Sequence, residues 1–344
     1  MTTVTAARVD VPAHIAQNPG AHRVLTGERP TGSLHVGHYF GTLQNRVLLQ
    51  DLGVDMFIVI ADYQVLTDRD VAGNLPAIVE GVVLDYLAVG IDPAKATIFA
   101  HSSVAALNQL LLPFLSLVST AELSRNPTVK DEIAASGRSQ VSGLMFTYPV
   151  HQAADLLFCK STLVPVGDDQ LPHIELTRTI ARRFNDRYAQ LFPLPEAMLS
   201  HAPRLLGTDG RKMGKSGGNA VSIKSSADET AAIVKTAKTD AERRITFEPE
   251  RRPEVSNLVL LAALAAGRDP HEVAEEIGDG GAAVLKRVVT EAVNERLAPV
   301  RARRAEYAAE PGLVRGILRE GGERANAVAD QTLLEVKEAM LTYY

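Results

Sequence analysis

The first two-thirds of the chain alternates short apolar runs with segments of helical periodicity, and this alternation limits the folds it can adopt. The predicted strands are residues 23–26, 56–61, 97–100 and 163–166. The run 56–61 is continuously apolar and stops at Asp62, which is typical of a strand buried on both faces. Segments at 37–52, 78–87 and 105–118 have the spacing of helices. Strands separated by helices predict a parallel sheet with right-handed crossovers.

The character of the sequence changes near residue 224, because every periodic segment beyond it predicts a helix. These helices are expected at 228–236, 256–266, 270–277, 281–308, 312–320 and 322–341. We therefore predict an α/β fold, with a Rossmann-like nucleotide-binding domain over 23–224 and an all-helical domain over 225–344. The loop 207–223 is expected to act as the hinge between them. Residues 1–22 lack the apolar core of a signal peptide and are predicted to be a flexible extension.

Composition excludes several classes of protein. The chain has 344 residues, of which 46% are apolar and 22% charged, as in ordinary soluble proteins. The single cysteine, Cys159, excludes an internal disulfide framework and a multi-cysteine metal site, and its apolar neighbours predict a buried thiol. No apolar stretch is long enough to span a bilayer, so we expect a cytoplasmic protein without a membrane partner. A net charge of −5 neither supports nor excludes an RNA partner.

A glycine and histidine motif, GSLHVGH at 32–38, follows the first predicted strand. Ligands of parallel sheets bind beyond the carboxyl ends of the strands, so His35, Gly37 and His38 are expected in a binding site there. A side chain at Gly37 would block a purine from lying on the backbone. The two imidazoles can donate hydrogen bonds to phosphate oxygens as charge builds on them. Alternatively, His35 and His38 merely cap a helix.

A second motif, KMGKS at 212–216, lies in a stretch rich in glycine. Such a loop can close over a ligand, and the ammonium groups of Lys212 and Lys215 suit a pyrophosphate. A solvated basic loop without a ligand is the alternative. The order of the two motifs, with a strand before the first, favours a site that holds ATP for attack at its α-phosphate.

The motif pair resembles the HIGH and KMSKS signatures of the class I aminoacyl-tRNA synthetases. Further segments resemble the tryptophanyl-tRNA synthetase family, from about residue 23 to the last helix. These segments are TGERPTG at 26–32, IVIAD at 58–62, YPVHQAAD at 148–155, VPVGDDQ at 164–170, HIELTR at 173–178 and RFN at 183–185. The resemblance implies activation of L-tryptophan with ATP and Mg²⁺, and transfer to tRNA(Trp). It also implies a homodimer and anticodon recognition by the helical domain.

The resemblance also implies roles for individual residues. Asp155 would accept the indole N–H, while Tyr148 and Gln170 would hold the α-amino group. Gln152 and Gln64 would stand in the indole pocket and near the carboxylate of the amino acid. His35, His38, Lys212 and Lys215 would be catalytic. The remaining contacts to ATP would come from Arg29, Pro30, Thr31, Gly37, Gly167, Asp168, Asp169, Leu205, Met213, Gly214 and Ser216.

Three positions depart from the common family pattern. Gly214 replaces the usual serine of the lysine loop, Gln152 stands where many relatives have methionine, and Gln64 lies near a usual histidine. These departures indicate a divergent or auxiliary branch, with altered loop kinetics and inhibitor binding.

Two other functions remain open from the sequence. Tyr148, Gln152 and Asp155 match the spacing by which tyrosyl-tRNA synthetases hold their substrate, although segments 31–33 and 164–170 are of the tryptophan type. A small-molecule adenylyltransferase that never binds tRNA would share the histidine motif but usually lacks a large helical domain.

Overall fold

A sheet of five parallel strands forms the centre of the molecule in the computed structural model, which describes residues 11–67, 74–136, 141–167, 170–199, 205–214 and 218–344. The strands are β1 Arg23–Glu28, β2 Asp55–Ile60, β3 Ala96–Ala100, β4 Leu163–Val166 and β5 Glu196–Leu199. Their order, β3-β2-β1-β4-β5, reverses direction between β1 and β4. This reversal is the topological switch point at which parallel sheets bind ligands. The predicted α/β class and the four predicted strands are confirmed.

Nine helices accompany the sheet within the part of the chain described up to β5. They are α1 Ala13–Gln17, α2 Val36–His38, α3 Gln44–Asp51, α4 Leu75–Val89, α5 Ala105–Leu115, α6 Thr120–Arg125, α7 Pro127–Ser136, α8 Gly143–Phe158 and α9 Leu171–Arg187. A π-helical turn, Tyr39–Leu43, joins α2 to α3. The predicted helix at 37–52 is therefore three consecutive helical pieces of different winding.

Beyond residue 224 the described chain forms helices and loops. These helices are α10 Ala227–Lys235, α11 Pro253–Ala266, α12 Pro270–Ile277, α13 Gly281–Ala308 and α14 Leu313–Ala339. The change of character predicted near residue 224 thus falls between β5 and α10. The division into two domains at that point stays a prediction.

Successive strand residues point to opposite faces of the sheet and build two apolar layers. Val24, Met56 and Ile58 pack with α4, α11 and α13 on one face. Phe57 and Val59 pack with α5, α8, α9 and the second half of α14 on the other. Both faces are covered, which explains why the run 56–61 is continuously apolar rather than alternating.

The last helix corrects one prediction. Two helices were expected to meet at Gly321 and Gly322, but α14 runs through both residues without a break. A Cβ at Gly321 would lie 1.7 Å from the carbonyl oxygen of Ile98, so the glycine serves close packing of α14 against β3. The glycine pair that predicted the end of a helix instead allows the backbone of α14 to approach the backbone of β3.

Of the extension predicted over residues 1–22, residues 1–10 lie outside the described residues. In the described part, α1 and a 3₁₀ turn over Pro19–Ala21 replace the expected flexible chain, and Ile15 is fully buried in the core. Cys159 is buried, as predicted, and burial raises the pKa of its thiol. Among the residues described, no helix has both the length and the apolarity that crossing a bilayer requires.

Candidate active site

A cleft of about 620 Å³ opens at the carboxyl ends of β1 and β4, at the switch point of the sheet. Both motifs and much of the region between them contribute to its wall. The predicted site residues that line it are Arg29, Thr31, His35, Gly37, His38, Gln64, Gln152, Asp155, Gly167, Gln170, Leu205, Lys212 and Met213.

The other predicted residues divide into two groups. Pro30, Tyr148 and Gly214 are described but are not among the residues that line the cleft. Tyr148 is buried, and its hydroxyl lies 3.1 Å from Nε2 of His173. The predicted sites at Asp168, Asp169, Lys215 and Ser216 lie outside the described residues.

The two motif histidines are fixed by bonds to the backbone at the start of α2. Nδ1 of His35 accepts the N–H of Gly37 at 3.2 Å, and Nδ1 of His38 accepts the N–H of His35 at 3.3 Å. In a neutral imidazole whose Nδ1 accepts, the proton sits on Nε2. Both rings are thus set as Nε2 donors, with their centroids 3.8 Å apart. His35 and His38 therefore cap the start of α2, as the alternative reading of the motif expected. The same capping bonds orient the two rings that line the cleft, so capping is compatible with the predicted binding role.

Two glycines keep the cleft open close to the sheet. A Cβ at Gly27 would lie 2.2 Å from the carbonyl oxygen of Val59 on β2. A Cβ at Gly37 would lie 3.0 Å from the ring of His35 and 3.2 Å from Sδ of Met213. A side chain at Gly37 would therefore require the ring of His35 and the side chain of Met213 to shift.

Backbone hydrogen bonds join the segment after the lysine loop to the segment before the histidines. The N–H of Val36 donates to the carbonyl of Val221, and the N–H of Ile223 donates to the carbonyl of Leu34, both at 3.0 Å. The hydroxyl of Ser222 also donates to the carbonyl of Leu34, at 3.1 Å. The two motifs are thus held in register although they lie far apart in sequence.

Asn219, which the sequence reasoning missed, fixes the base of the lysine loop. Its amide nitrogen donates to Oδ1 of Asp209 at 2.8 Å and to the carbonyl of Lys212 at 3.2 Å. Its amide oxygen accepts the N–H of Gly214 at 3.1 Å. The bond from Asn219, with a bond from the N–H of Arg211, lowers the pKa of Asp209. Asn219 is 6% exposed, and its buried amide adds to the antiparallel bridge that pairs Leu206 with Lys212 at the base of the loop.

Arg46 is a second residue that the sequence did not single out. Its guanidinium is 2% exposed, lies 3.1 Å from Oε1 of Glu28, and lines the cleft. Oε2 of Glu28 is 3.8 Å from Nε2 of His38. Arg46 therefore anchors the carboxylate that faces the second histidine of the motif.

The carboxylate of Asp155 is buried at the cleft wall. Asp155 is 2% exposed and lines the cleft together with apolar residues such as Val59 and Leu156 and with the amide of Gln152. Its Oδ1 lies 2.8 Å from Nδ1 of the fully buried His101. The sequence offered a signal for His101, since it follows β3 at the edge of the sheet where Asp62 follows β2.

His151, one turn before Asp155 on α8, is predicted to make the stability of the protein depend on pH. Burial and then the charge of His101 lower the pKa of His151 to about 4. The unfolded chain binds this proton near pH 6.5, so stability is lost as pH falls from about 6.5 towards 4, by up to about 3 kcal/mol. Replacement of His151 by leucine should remove this loss.

Urea unfolding at pH 7.5 and pH 5 measures this difference. The wild-type protein should lose more stability than His151→Leu between the two pH values. An equal loss in both would contradict the assignment of the titration to His151.

The comparisons with known proteins agree with this geometry. The family model described as tRNA synthetases class I (W and Y) matches residues 17–298. The chain therefore belongs to this family of class I synthetases.

Individual relatives point to the tryptophan side of the family. A tryptophan–tRNA ligase of Streptococcus pneumoniae is 42% identical over 337 residues, covering 93% of this chain and 98% of the relative. That of Treponema pallidum is 40% identical over 327 residues, covering 92% and 96%. The crystal structure of tryptophanyl-tRNA synthetase from Campylobacter jejuni, complexed with ADP and tryptophan, has a TM-score of 0.81 at 30% identity and covers 92% of this chain and 99% of that one.

These similarities confirm the predicted resemblance to the tryptophanyl-tRNA synthetase family. They also favour this function over the two alternatives, a tyrosine enzyme and an adenylyltransferase without tRNA.

Proposed function

We propose that the chain activates L-tryptophan with ATP to tryptophanyl-adenylate and transfers the tryptophanyl group to tRNA(Trp). The observation that carries the proposal is the position of Asp155. A buried carboxylate lines the same cleft as His35 and Lys212, in a wall that also includes apolar side chains such as Val59 and Leu156. Indole is apolar with a single N–H donor, and a buried acceptor in apolar surroundings is complementary to it.

The first step needs no general base, because the carboxylate of tryptophan is already ionised. One of its oxygens attacks the α-phosphorus of ATP in line and forms a new P–O bond. The bond to the bridging oxygen breaks, and pyrophosphate leaves with the electron pair. Catalysis then consists of positioning the reactants and stabilising charge on the phosphates.

Two imidazoles and two lysines would provide this stabilisation. The capping bonds orient Nε2 of His35 and of His38 as donors. Lys212 would bind the departing pyrophosphate, and Lys215 is assigned the same role. Mg²⁺ keeps much of its water and binds phosphate oxygens. Within the described ranges no group of three or more histidine, cysteine or carboxylate side chains could hold a metal, so we assign the ion to the phosphates of ATP.

The nucleoside of ATP would lie across the carboxyl ends of β1 and β4. Leu205 and Met213 are 6% and 9% exposed at the cleft wall and offer an apolar surface for adenine. Gly167 follows β4 and, with the proposed partner Asp169, would contact the ribose hydroxyls. Arg29, Pro30, Thr31, Asp168, Gly214 and Ser216 complete the proposed nucleotide contacts.

The amino acid would be held on the other side of the cleft. Gln170 is proposed to bind the α-amino group, and Gln152 and Gln64 to line the indole and carboxylate positions. Tyr148 is proposed to bind the α-amino group with Gln170. Its hydroxyl can donate to Nε2 of His173, 3.1 Å away, and still accept a hydrogen bond from an ammonium group.

In the second step, a hydroxyl of the terminal ribose of tRNA attacks the carbonyl carbon of the adenylate. The ester C–O bond forms, and AMP leaves as the mixed anhydride breaks. The helical region 225–344 is proposed to bind the anticodon, and the protein to act as a cytoplasmic homodimer.

Pyrophosphate exchange with each of the twenty amino acids tests the proposal. Exchange should depend on tryptophan, and purified tRNA(Trp) should become charged. Exchange that depends on tyrosine, or exchange without charging of any tRNA, would contradict it.

Asp155→Ala is expected to raise the KM for tryptophan by about 10², because the indole N–H would lose its charged acceptor. The KM for ATP should stay within a few-fold of wild type, since the nucleotide contacts are separate. Steady-state exchange kinetics with each substrate varied in turn give both values. A parallel rise of both KM values would indicate a general distortion of the cleft instead.

A further inference from the structure

A buried cluster of titratable side chains lies behind Asp155. His101 is in the 3₁₀ turn His101–Ser103 that follows β3, and it is fully buried. The ring of His151 lies with its centroid 4.0 Å from that of His101. Neither histidine is among the residues that line the cleft. Of the two, His101 contacts Asp155, which does line the cleft.

The charges around His101 favour its protonated form. Burial lowers the pKa of an imidazole, but the carboxylates of Asp155 and Asp62 outweigh burial and raise the pKa of His101. Asp62 is itself held by the backbone N–H of Ser102 at 2.9 Å and by the hydroxyl of Ser102. The ring of Tyr63 packs at 5.6 Å from that of His101. His151 stays neutral, so His101 carries the positive charge of the cluster.

The contact of His101 with Asp155 acts mainly through charge. Nδ1 and Oδ1 are 2.8 Å apart, yet neither atom has a partner of aligned hydrogen-bond geometry among the described residues. Both side chains are buried, so the attraction between the imidazolium and the carboxylate is weakly screened and holds the carboxylate of Asp155 in place at the cleft wall. An ionised carboxylate only accepts hydrogen bonds, and charge-assisted bonds are about twice as strong as neutral ones.

We propose that His101 is a positioning residue that holds the carboxylate of Asp155 in place as the acceptor for the indole N–H and so sets the selectivity for tryptophan. This inference rests on the proposed function. It means that selectivity for tryptophan depends on His101, which does not line the cleft, as well as on Asp155, which does.

The test compares tryptophan with 3-(1-benzothiophen-3-yl)alanine, which has sulfur in place of the N–H at nearly the same size. The wild-type protein should prefer tryptophan in pyrophosphate exchange by about 10² in kcat/KM. His101→Ala should lower this preference by about tenfold, through the KM for tryptophan and not through the KM for ATP. His101→Gln keeps a donor without the charge, and its preference should lie between those two.

The pH dependence of the preference for tryptophan is a second readout, which a purely structural role of His101 would leave unchanged. In the wild-type protein the preference should decline as pH rises through the raised pKa of His101, because the imidazolium is lost. In His101→Gln the preference should not change with pH over the same range. His151→Leu is the matched control, being equally buried in the cluster, and should keep the wild-type preference and its pH profile.

The outcomes separate this inference from the proposed function. A wild-type protein without tryptophan-dependent exchange would contradict the proposed function itself. If the wild-type protein catalyses exchange but does not discriminate against the sulfur analogue, Asp155 is not the acceptor for the indole N–H. If wild type discriminates and folded His101→Gln or His101→Ala keeps the full preference, the role of His101 is overturned.

Discussion

Lys212→Ala is expected to slow formation of tryptophanyl-adenylate by about 10² to 10³, as for loss of one charged contact to a transition state. The Lys212 side chain lines the cleft, while its carbonyl is held by Asn219. The backbone of the loop should therefore survive the substitution, and only the ammonium group is lost. Single-turnover measurement of adenylate formation gives the rate, and equilibrium titration gives the affinity for tryptophan, which should stay near wild type.

Arg211→Ala is the matched control for this experiment. Arg211 precedes Lys212 on the same loop and is exposed, but it is not among the residues that line the cleft. Its substitution should change the rate by less than threefold or so, as for a solvated surface charge. Lys215→Ala should behave like Lys212→Ala. Equal losses of rate and of tryptophan affinity would contradict the division of labour between lysine loop and amino-acid pocket.

Gly321→Ala is expected to destabilise the protein by about 3 kcal/mol or more, because an added methyl group meets a backbone atom that cannot rotate away. The new Cβ would lie 1.7 Å from the carbonyl oxygen of Ile98. Either α14 must move away from β3, or β3 must shift within the sheet. Urea denaturation followed by circular dichroism measures the change.

The same helix provides a control of opposite sign. Gly316 also lies within α14, but a Cβ there would have nothing within 4 Å. Gly316→Ala should stabilise the protein by up to about 1 kcal/mol, through the higher helix propensity of alanine. Similar effects of both substitutions would mean that α14 does not pack on β3 as described.

Local sequence patterns were sufficient for much of the fold. Strands β1 to β4 follow from short apolar runs, since a sheet covered on both faces buries the side chains on both sides of each central strand. Strand β5 was missed because it lies at the edge of the sheet, where only Met198 of its four residues is buried. The break predicted in α14 was wrong because a glycine pair that usually ends a helix here allows close approach to β3.

The parts of the site that could be predicted are those encoded in contiguous motifs. His35, Gly37 and His38 are set by local capping bonds, so their arrangement follows from seven consecutive residues. Asn219 bonds residues no more than ten positions away, but its glycine-rich loop has no periodic pattern that would single out the amide. His101 follows a predicted strand, yet its role depends on the carboxylate of Asp155, which only the tertiary structure places beside it.

The pairing of Leu34 with Ser222 and Ile223 affects the order in which parts of the enzyme fold during translation. The bond from Ser222 to Leu34 spans 188 residues. At ordinary rates of translation, that separation corresponds to about 10 to 40 s of synthesis. The N-terminal strands and helices emerge first, but the histidine motif gains its backbone partner only after the lysine loop has been made. The nucleotide cleft is therefore completed late, and a nascent chain that ends before residue 221 should not retain ATP.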